Sequence, residues 1–203
     1  VIEQVQVVLA THNPGKVREV AQVLAEMDCL TGIDLISAGE LQLTAPQEDG
    51  VSFAENALLK ARAASEASGL PVIAEDSGLC VKVLGGAPGI FSARWAGQHG
   101  GDLANLQLLL DQLADVPDQH RGAWYECAAV LMLPSGQHFQ ATGRLTGQLA
   151  HQPVGDGGFG YDPIFIPEAM ALTAAQLDPA AKNAISHRGR AIRALAPHLS
   201  SLA

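Results

Sequence analysis

The order of local signals at the start of the chain constrains the fold most. Val5-Gln6-Val7-Val8-Leu9-Ala10 is short, β-branched and apolar, the pattern of a strand buried on both faces. Thr11-His12-Asn13-Pro14-Gly15-Lys16 follows it directly. Asn13 is a good helix N-cap, and Pro14 is tolerated at the first helical position because its missing N–H has no partner there. Val17, Val20, Ala21 and Leu24 then keep helical spacing on one face. A buried strand feeding a helix through a tight loop predicts an α/β protein, with the N-terminus of that helix placed to favour an anion.

Later segments extend the pattern. Ser52-Phe53-Ala54-Glu55 is a capping box, and the alanine-rich run after it ends at Gly69 and Pro71. Asn56 and Lys60 share a face of that helix. Val72-Ile73-Ala74 predicts a strand that delivers Glu75-Asp76-Ser77-Gly78 at its end, with a further strand over Leu79 to Leu84. Asp102 to Leu113 predicts an amphipathic helix with Leu103, Leu106, Leu110 and Leu113 in register. Trp124 to Leu133, the turn Pro134-Ser135-Gly136 and Gln137 to Thr142 predict a hairpin, with another strand over Arg144 to Ala150. Asp178-Pro179 opens a helical segment, Ser186 caps the last helix, and Pro197 ends or kinks it. The expectation is one domain over residues 1–203, built as two lobes facing a cleft rather than as independent domains.

Charge narrows the function. Twelve Lys and Arg stand against 21 Asp and Glu, a net of −9, so the chain has no global field for DNA or RNA. With 48% apolar residues and 16% charged, it has material for a substantial core. No apolar run is long enough to span a bilayer, and no secretory leader is visible. Cys29, Cys80 and Cys127 are scattered in apolar surroundings and read as buried thiols of a reducing compartment, which predicts a cytoplasmic chain.

The scarce cations fall in segments already singled out. Thr11 to Lys16 offers a phosphate cradle of backbone N–H groups plus one ammonium, although it lacks the spacing of a Walker A loop. Glu75 and Asp76 offer hard oxygen ligands for Mg²⁺, or a base for a water, and Glu48 and Asp49 add negative charge before the second helix. The loop carrying Gly155, Gly157, Gly158 and Gly160 permits close backbone approach to a ligand. Phe159 and Tyr161 there offer aromatic faces, and Asp162 an acceptor. Lys182, His187, Arg188 and Arg190 gather near a helix start, where cations make sense opposite an anionic ligand. Each of these segments also has an ordinary reading as a cap, a turn or a solvated surface.

Taken in order, Thr11–Lys16, Phe53-Ala54-Glu55-Asn56-Ala57, Glu75-Asp76-Ser77-Gly78-Leu79, Gly85 to Arg94, Gly158-Phe159-Gly160-Tyr161-Asp162-Pro163 and Ser186-His187-Arg188-Gly189 resemble the inosine/xanthosine triphosphate pyrophosphatase family. These enzymes remove non-canonical purine nucleotides, and the likeness runs from residue 5 to beyond 190. The resemblance implies two α/β lobes around a long central mixed β-sheet with flanking helices and a cleft between the lobes. It implies a homodimer, Mg²⁺ dependence and hydrolysis of ITP, dITP or XTP to the monophosphate and pyrophosphate.

Carried onto this chain, Thr11, His12, Asn13, Pro14, Gly15 and Lys16 grip the triphosphate, with Lys60 nearby as a second catalytic group. Asp76 is the catalytic base and a metal ligand, Glu48 and Glu75 are further metal ligands, and Ser77 touches substrate. Phe159 stacks on the purine with Gly160, Tyr161 and Asp162 around it, while Lys182, His187 and Arg188 read the base. Three positions depart from the pattern: His12 replaces a common Gly, Glu75 a common Asp, and Gln47 a common metal-binding Glu that Glu48 is expected to replace. A pyrimidine-selective relative and a sensor that binds without hydrolysis are the rival expectations.

Overall fold

The computed structural model describes residues 4–27, 32–97 and 101–202. Among the described residues, six strands form one mixed sheet in the order β2-β1-β3-β4-β5-β6. They are β1 (Val5–Leu9), β2 (Ile33–Ser37), β3 (Val72–Val81), β4 (Gly122–Met132), β5 (His138–Leu149) and β6 (Phe165–Pro167). β1 pairs parallel with β2 and β3, and β5 pairs antiparallel with β6. The helices are α1 (Pro14–Ala25), α2 (Phe53–Ser68), α3 (Asp102–Gln112), α4 (Pro179–Ile185), α5 (His187–Ala194) and α6 (Ala196–Leu199). The expected α/β class with a mixed sheet and flanking helices is the observed one.

The chain divides into two compact units. The first comprises Val1–Asp76, Cys127–Gly143 and His187–Ala203; its core gathers Val7, Leu9, Val20, Ile73, Leu131 and Ile192. The second comprises Ser77–Glu126 and Arg144–Ser186, with Leu79, Leu109, Tyr125, Leu149, Ile164 and Phe165 at its centre. β3, β4 and β5 each contribute residues to both units.

Local chemistry explains the elements closest to the functional residues. The Asn13 side chain caps α1 by accepting from Gly15 N (2.8 Å) and Lys16 N (3.3 Å). Ser52 caps α2 by accepting from Glu55 N, Glu55 returns a bond from Val51 N, and Gly69 closes the helix at φ +70°. The turn between β4 and β5 is closed by Leu133 N–H donating to Gln137 C=O at 2.8 Å.

Several boundaries differ from expectation. Glu75 to Gly78 do not form a turn at a strand end. They lie inside one ten-residue strand, β3, which gives way to a 3₁₀ turn over 82–84. Their turn preference yields to the sheet, in which β3 lies between β1 and β4 and pairs with β1 at Val72 and Ile73. β5 likewise runs unbroken from His138 to Leu149 instead of as two strands. The buried face of α3 carries Asn105, Leu106 and Leu109, with Leu113 just beyond its end, while Leu103 is exposed. Ser186 ends α4 and α5 starts at His187; Pro197 lies in the first turn of the separate α6. Cys80 and Cys127 are buried thiols, and Cys29 lies outside the described residues.

Candidate active site

In the first unit, the strand alternation of β3 decides which partners its two carboxylates meet. Successive side chains on a strand point to opposite faces. Glu75 shares a face with Ile73, which packs in the core with residues of α1 and α5. Its Oε1 lies 2.8 Å from Lys16 Nζ at the start of α1 and 3.5 Å from Arg188 Nε on α5. The Arg188 guanidinium also pairs with Glu19 of α1. Asp76 points the other way, toward α2, where Lys60 Nζ reaches Oδ1 at 2.9 Å and Asn56 Nδ2 donates to Oδ2 at 3.3 Å. Lys60 also lies 3.4 Å from Glu48 Oε1.

The electrostatics separate these neighbours. Burial favours protonation of both. For Asp76 burial prevails over the Lys60 charge, so its carboxyl is raised from its ordinary value. For Glu75 the charges of Arg188, Lys16 and Lys60 outweigh burial and hold it well below the glutamate range. Burial alone would lower the Lys60 ammonium, but Asp76, Glu75 and Glu48 raise it overall, so it remains a cation. Arg188 is raised in the same way by Glu75 and Glu19 against its burial. The result is one carboxylate of raised basicity in contact with a single lysine, Lys60.

The loop before α1 differs from a vacant anion cradle. Gly15 N and Lys16 N are held by the Asn13 side chain, and Val17 N donates to Asn13 C=O at 3.1 Å. The helix end therefore offers its dipole and the Lys16 ammonium, with Pro14 supplying no N–H. Asn13 N donates to Thr11 Oγ1 at 3.1 Å. A His12 ring N–H donates to Leu43 C=O at 2.8 Å, so this side chain ties the loop to the segment after β2. Gly50 packs tightly on α2: a Cβ there would lie 2.6 Å from Asn56 Oδ1, which accepts from Gly50 N.

In the second unit, the glycine-rich loop is organised by Asp162. Its Oδ2 accepts from Phe159 N (2.9 Å) and Lys182 Nζ (2.7 Å), and its Oδ1 from the Tyr125 hydroxyl (3.3 Å). Gly158 has φ +72°, and a Cβ there would come within 2.1 Å of Asp162 Oδ2, so both torsion and space demand glycine. Lys182 Nζ sits 5.1 Å from the centroid of the half-buried Phe159 ring. Gly160 N donates to Asp102 at 3.0 Å. Tyr161 is a core residue: 4% exposed, it donates its hydroxyl to Ser92 C=O at 2.9 Å, so its ring offers no open stacking face. Ser77 follows Asp76 on β3.

The structure thus brings Lys16, Glu48, Lys60, Glu75, Asp76 and Arg188 together in the first unit, and Phe159, Asp162 and Lys182 in the second. His187 and Arg188 are buried at the start of α5 in the first unit, not a solvated basic turn. Sequence reasoning gave no site role to Asn56, Glu19 or Tyr125. The spacing of Asn56 to Lys60 carried a signal for the first; Glu19 and Tyr125 carried none.

Among the described residues, no group of three or more His, Cys, Asp or Glu is arranged to hold a metal ion. Mg²⁺ needs less, since it takes one or two carboxylates and fills its shell with phosphate oxygens and water. Asp76 and Glu48, both in contact with Lys60, fit that donor set.

An α/β protein that sets a buried carboxylate between an amide and a lysine, beside a helix N-terminus carrying a second lysine, has the parts of a phosphoanhydride hydrolase. Comparison with known proteins agrees. The Ham1 family model matches residues 7–198, and the chain belongs to that family. It is 56% identical over 198 residues to a dITP/XTP pyrophosphatase of Streptomyces coelicolor, covering 97% of this chain and 98% of the relative. A Leifsonia xyli protein of the same name is 50% identical over 198 residues, 98% of this chain and 97% of its own. Among solved structures, a HAM1 protein from Coxiella burnetii superposes with TM-score 0.85 at 38% identity, over 98% of this chain and all of the other. The Staphylococcus aureus Ham1 protein gives TM-score 0.83 at 36% identity, over 97% and 98%.

Proposed function

We propose that this protein is a nucleoside-triphosphate pyrophosphatase acting on the non-canonical purine nucleotides dITP, ITP and XTP. Water adds to the α-phosphorus, the bond to the β-phosphate bridge breaks, and the monophosphate and pyrophosphate leave. The observation that carries this reading is Asp76, a buried carboxylate of raised pKa fixed by Asn56 and Lys60. Near-full-length identity to relatives named for the dITP and XTP reaction supports it.

Each residue then has a task. Asp76 accepts the proton of the attacking water. Lys16 and Lys60 stabilise charge on the phosphate oxygens, the main lever in phosphoryl chemistry. Thr11 to Gly15 and Ser77 contact the phosphate chain and sugar. Asp76 and Glu48 would hold Mg²⁺, which neutralises phosphate charge when bound. Phe159 offers the stacking face for the base, with Gly160, Tyr161 and Asp162 shaping its loop. Lys182, His187 and Arg188 supply donors of the kind that favour a purine 6-oxygen over the amino group of adenine, where donor would meet donor. The resemblance adds a homodimer and a cytoplasmic location to this reading. No helix among the described residues is long and apolar enough to cross a membrane.

Product analysis tests the proposal. With Mg²⁺, the purified protein should release pyrophosphate from dITP, ITP and XTP far faster than from ATP. Equal turnover of ATP, release of orthophosphate, or binding without turnover would reject it.

A further inference from the structure

The geometry points to Glu75 as a positioning residue that sets Lys16 and Arg188, not as a ligand of the metal that the proposed function requires. The inference rests on that function, but its observations are separate. Glu75 and Asp76 are adjacent on β3 and face opposite ways, so their carboxylates serve different neighbourhoods. The Glu75 side chain is 2% exposed, against 10% for Asp76 and 32% for Glu48, so it is the least open of the three carboxylates to a hydrated cation. Both of its oxygens face protein groups, Oε1 through ion pairs and Oε2 through a thiol. Oε1 meets Lys16 Nζ at 2.8 Å and Arg188 Nε at 3.5 Å, and Oε2 lies 3.6 Å from Cys127 Sγ. Burial, then the charge of Glu75, keep that thiol protonated and able to donate. Glu19 holds the far side of the Arg188 guanidinium. The four charges form a chain, Lys16–Glu75–Arg188–Glu19, that fastens the start of α1 to the start of α5 through β3.

A glutamate suits this task because its extra methylene carries the carboxylate to both cations. The ordering is directional: Glu75 restricts the Lys16 ammonium, and Lys16 then meets the substrate's phosphates. Glu75 itself touches neither substrate nor metal.

The test separates ligand from positioner with Mn²⁺ alone as the probe, followed by electron paramagnetic resonance. Asp76→Asn and Glu48→Gln should each weaken Mn²⁺ binding by about tenfold or more, and Glu75→Gln should leave it within about twofold. In Glu75→Gln, acetic anhydride should label Lys16 several-fold faster than in the parent, and kcat/KM for dITP should fall by about 10²-fold, the scale of a small misplacement. A tenfold loss of Mn²⁺ affinity in Glu75→Gln, or unchanged labelling of Lys16, overturns the inference.

If that variant does not fold, the double variant Glu75→Met with Arg188→Met removes both buried partners at once, which packed interiors tolerate better than a lone buried charge. The same two readouts then decide. If Asp76→Asn binds Mn²⁺ as the parent does, the metal reading of the site fails, while Lys16 labelling still judges the role of Glu75.

Discussion

Two neighbouring carboxylates on one strand, Asp76 and Glu75, have opposite fates. Asp76 meets one lysine and one amide and retains a raised pKa. Glu75 meets Lys16 and Arg188 and is held strongly ionised. The lesson is that burial alone does not make a base. A buried carboxylate that faces several cations is a structural anion, whereas one that faces a single cation can still accept a proton.

The largest effect should come from the first of the pair. Asp76→Asn should lower kcat for dITP by up to about 10⁴-fold, roughly 5.4 kcal/mol, while nucleotide binding remains measurable by calorimetry. Retention of the parent rate would erase the contrast between the two carboxylates.

Glu75→Gln should act first on stability. Breaking a buried ion pair costs about 3–5 kcal/mol, read by urea unfolding at pH 7. Because the folded-state pKa of Glu75 is depressed, its contribution is fully present above the ordinary value of 4.5 and is lost as pH falls below it. The parent-minus-variant difference should therefore stay constant from pH 7 to about pH 5 and shrink under further acidification. A difference that grows toward low pH would reverse the assignment.

The second unit allows finer tests. Its Asp162 is also a buried carboxylate, yet it organises a loop. Phe159→Ala should raise KM for dITP by about 5–150-fold, equivalent to roughly 1–3 kcal/mol of stacking, with kcat less affected. An unchanged KM would place the base elsewhere. Tyr125→Phe removes only the hydroxyl that donates to Asp162 Oδ1 and should cost about 0.5–1.5 kcal/mol of stability in thermal unfolding. No shift in Tm would show that Lys182 and Phe159 N suffice to hold Asp162.

Much of this was legible in the sequence, and the failures have physical causes. The Asn13 and Ser52 caps are local chemistry, so α1 and α2 start where the residues say. Gly158 was readable as a close-approach position for the same reason. Glu75 to Gly78 misled because their turn preference is local, while the sheet that overrides it is assembled from strands distant in sequence. Glu19 and Tyr125 were invisible because their partners, Arg188 and Asp162, lie 169 and 37 residues away. The burial of Tyr161 was missed because an aromatic in a glycine-rich loop looks the same whether it packs inward or stacks outward.

Hydrolysis of dITP in ¹⁸O-labelled water tests the central claim most directly. If the Asp76 cluster drives water onto the α-phosphorus, the label appears in the monophosphate and the pyrophosphate stays unlabelled. Label in the pyrophosphate, or orthophosphate as the first product, would contradict the account.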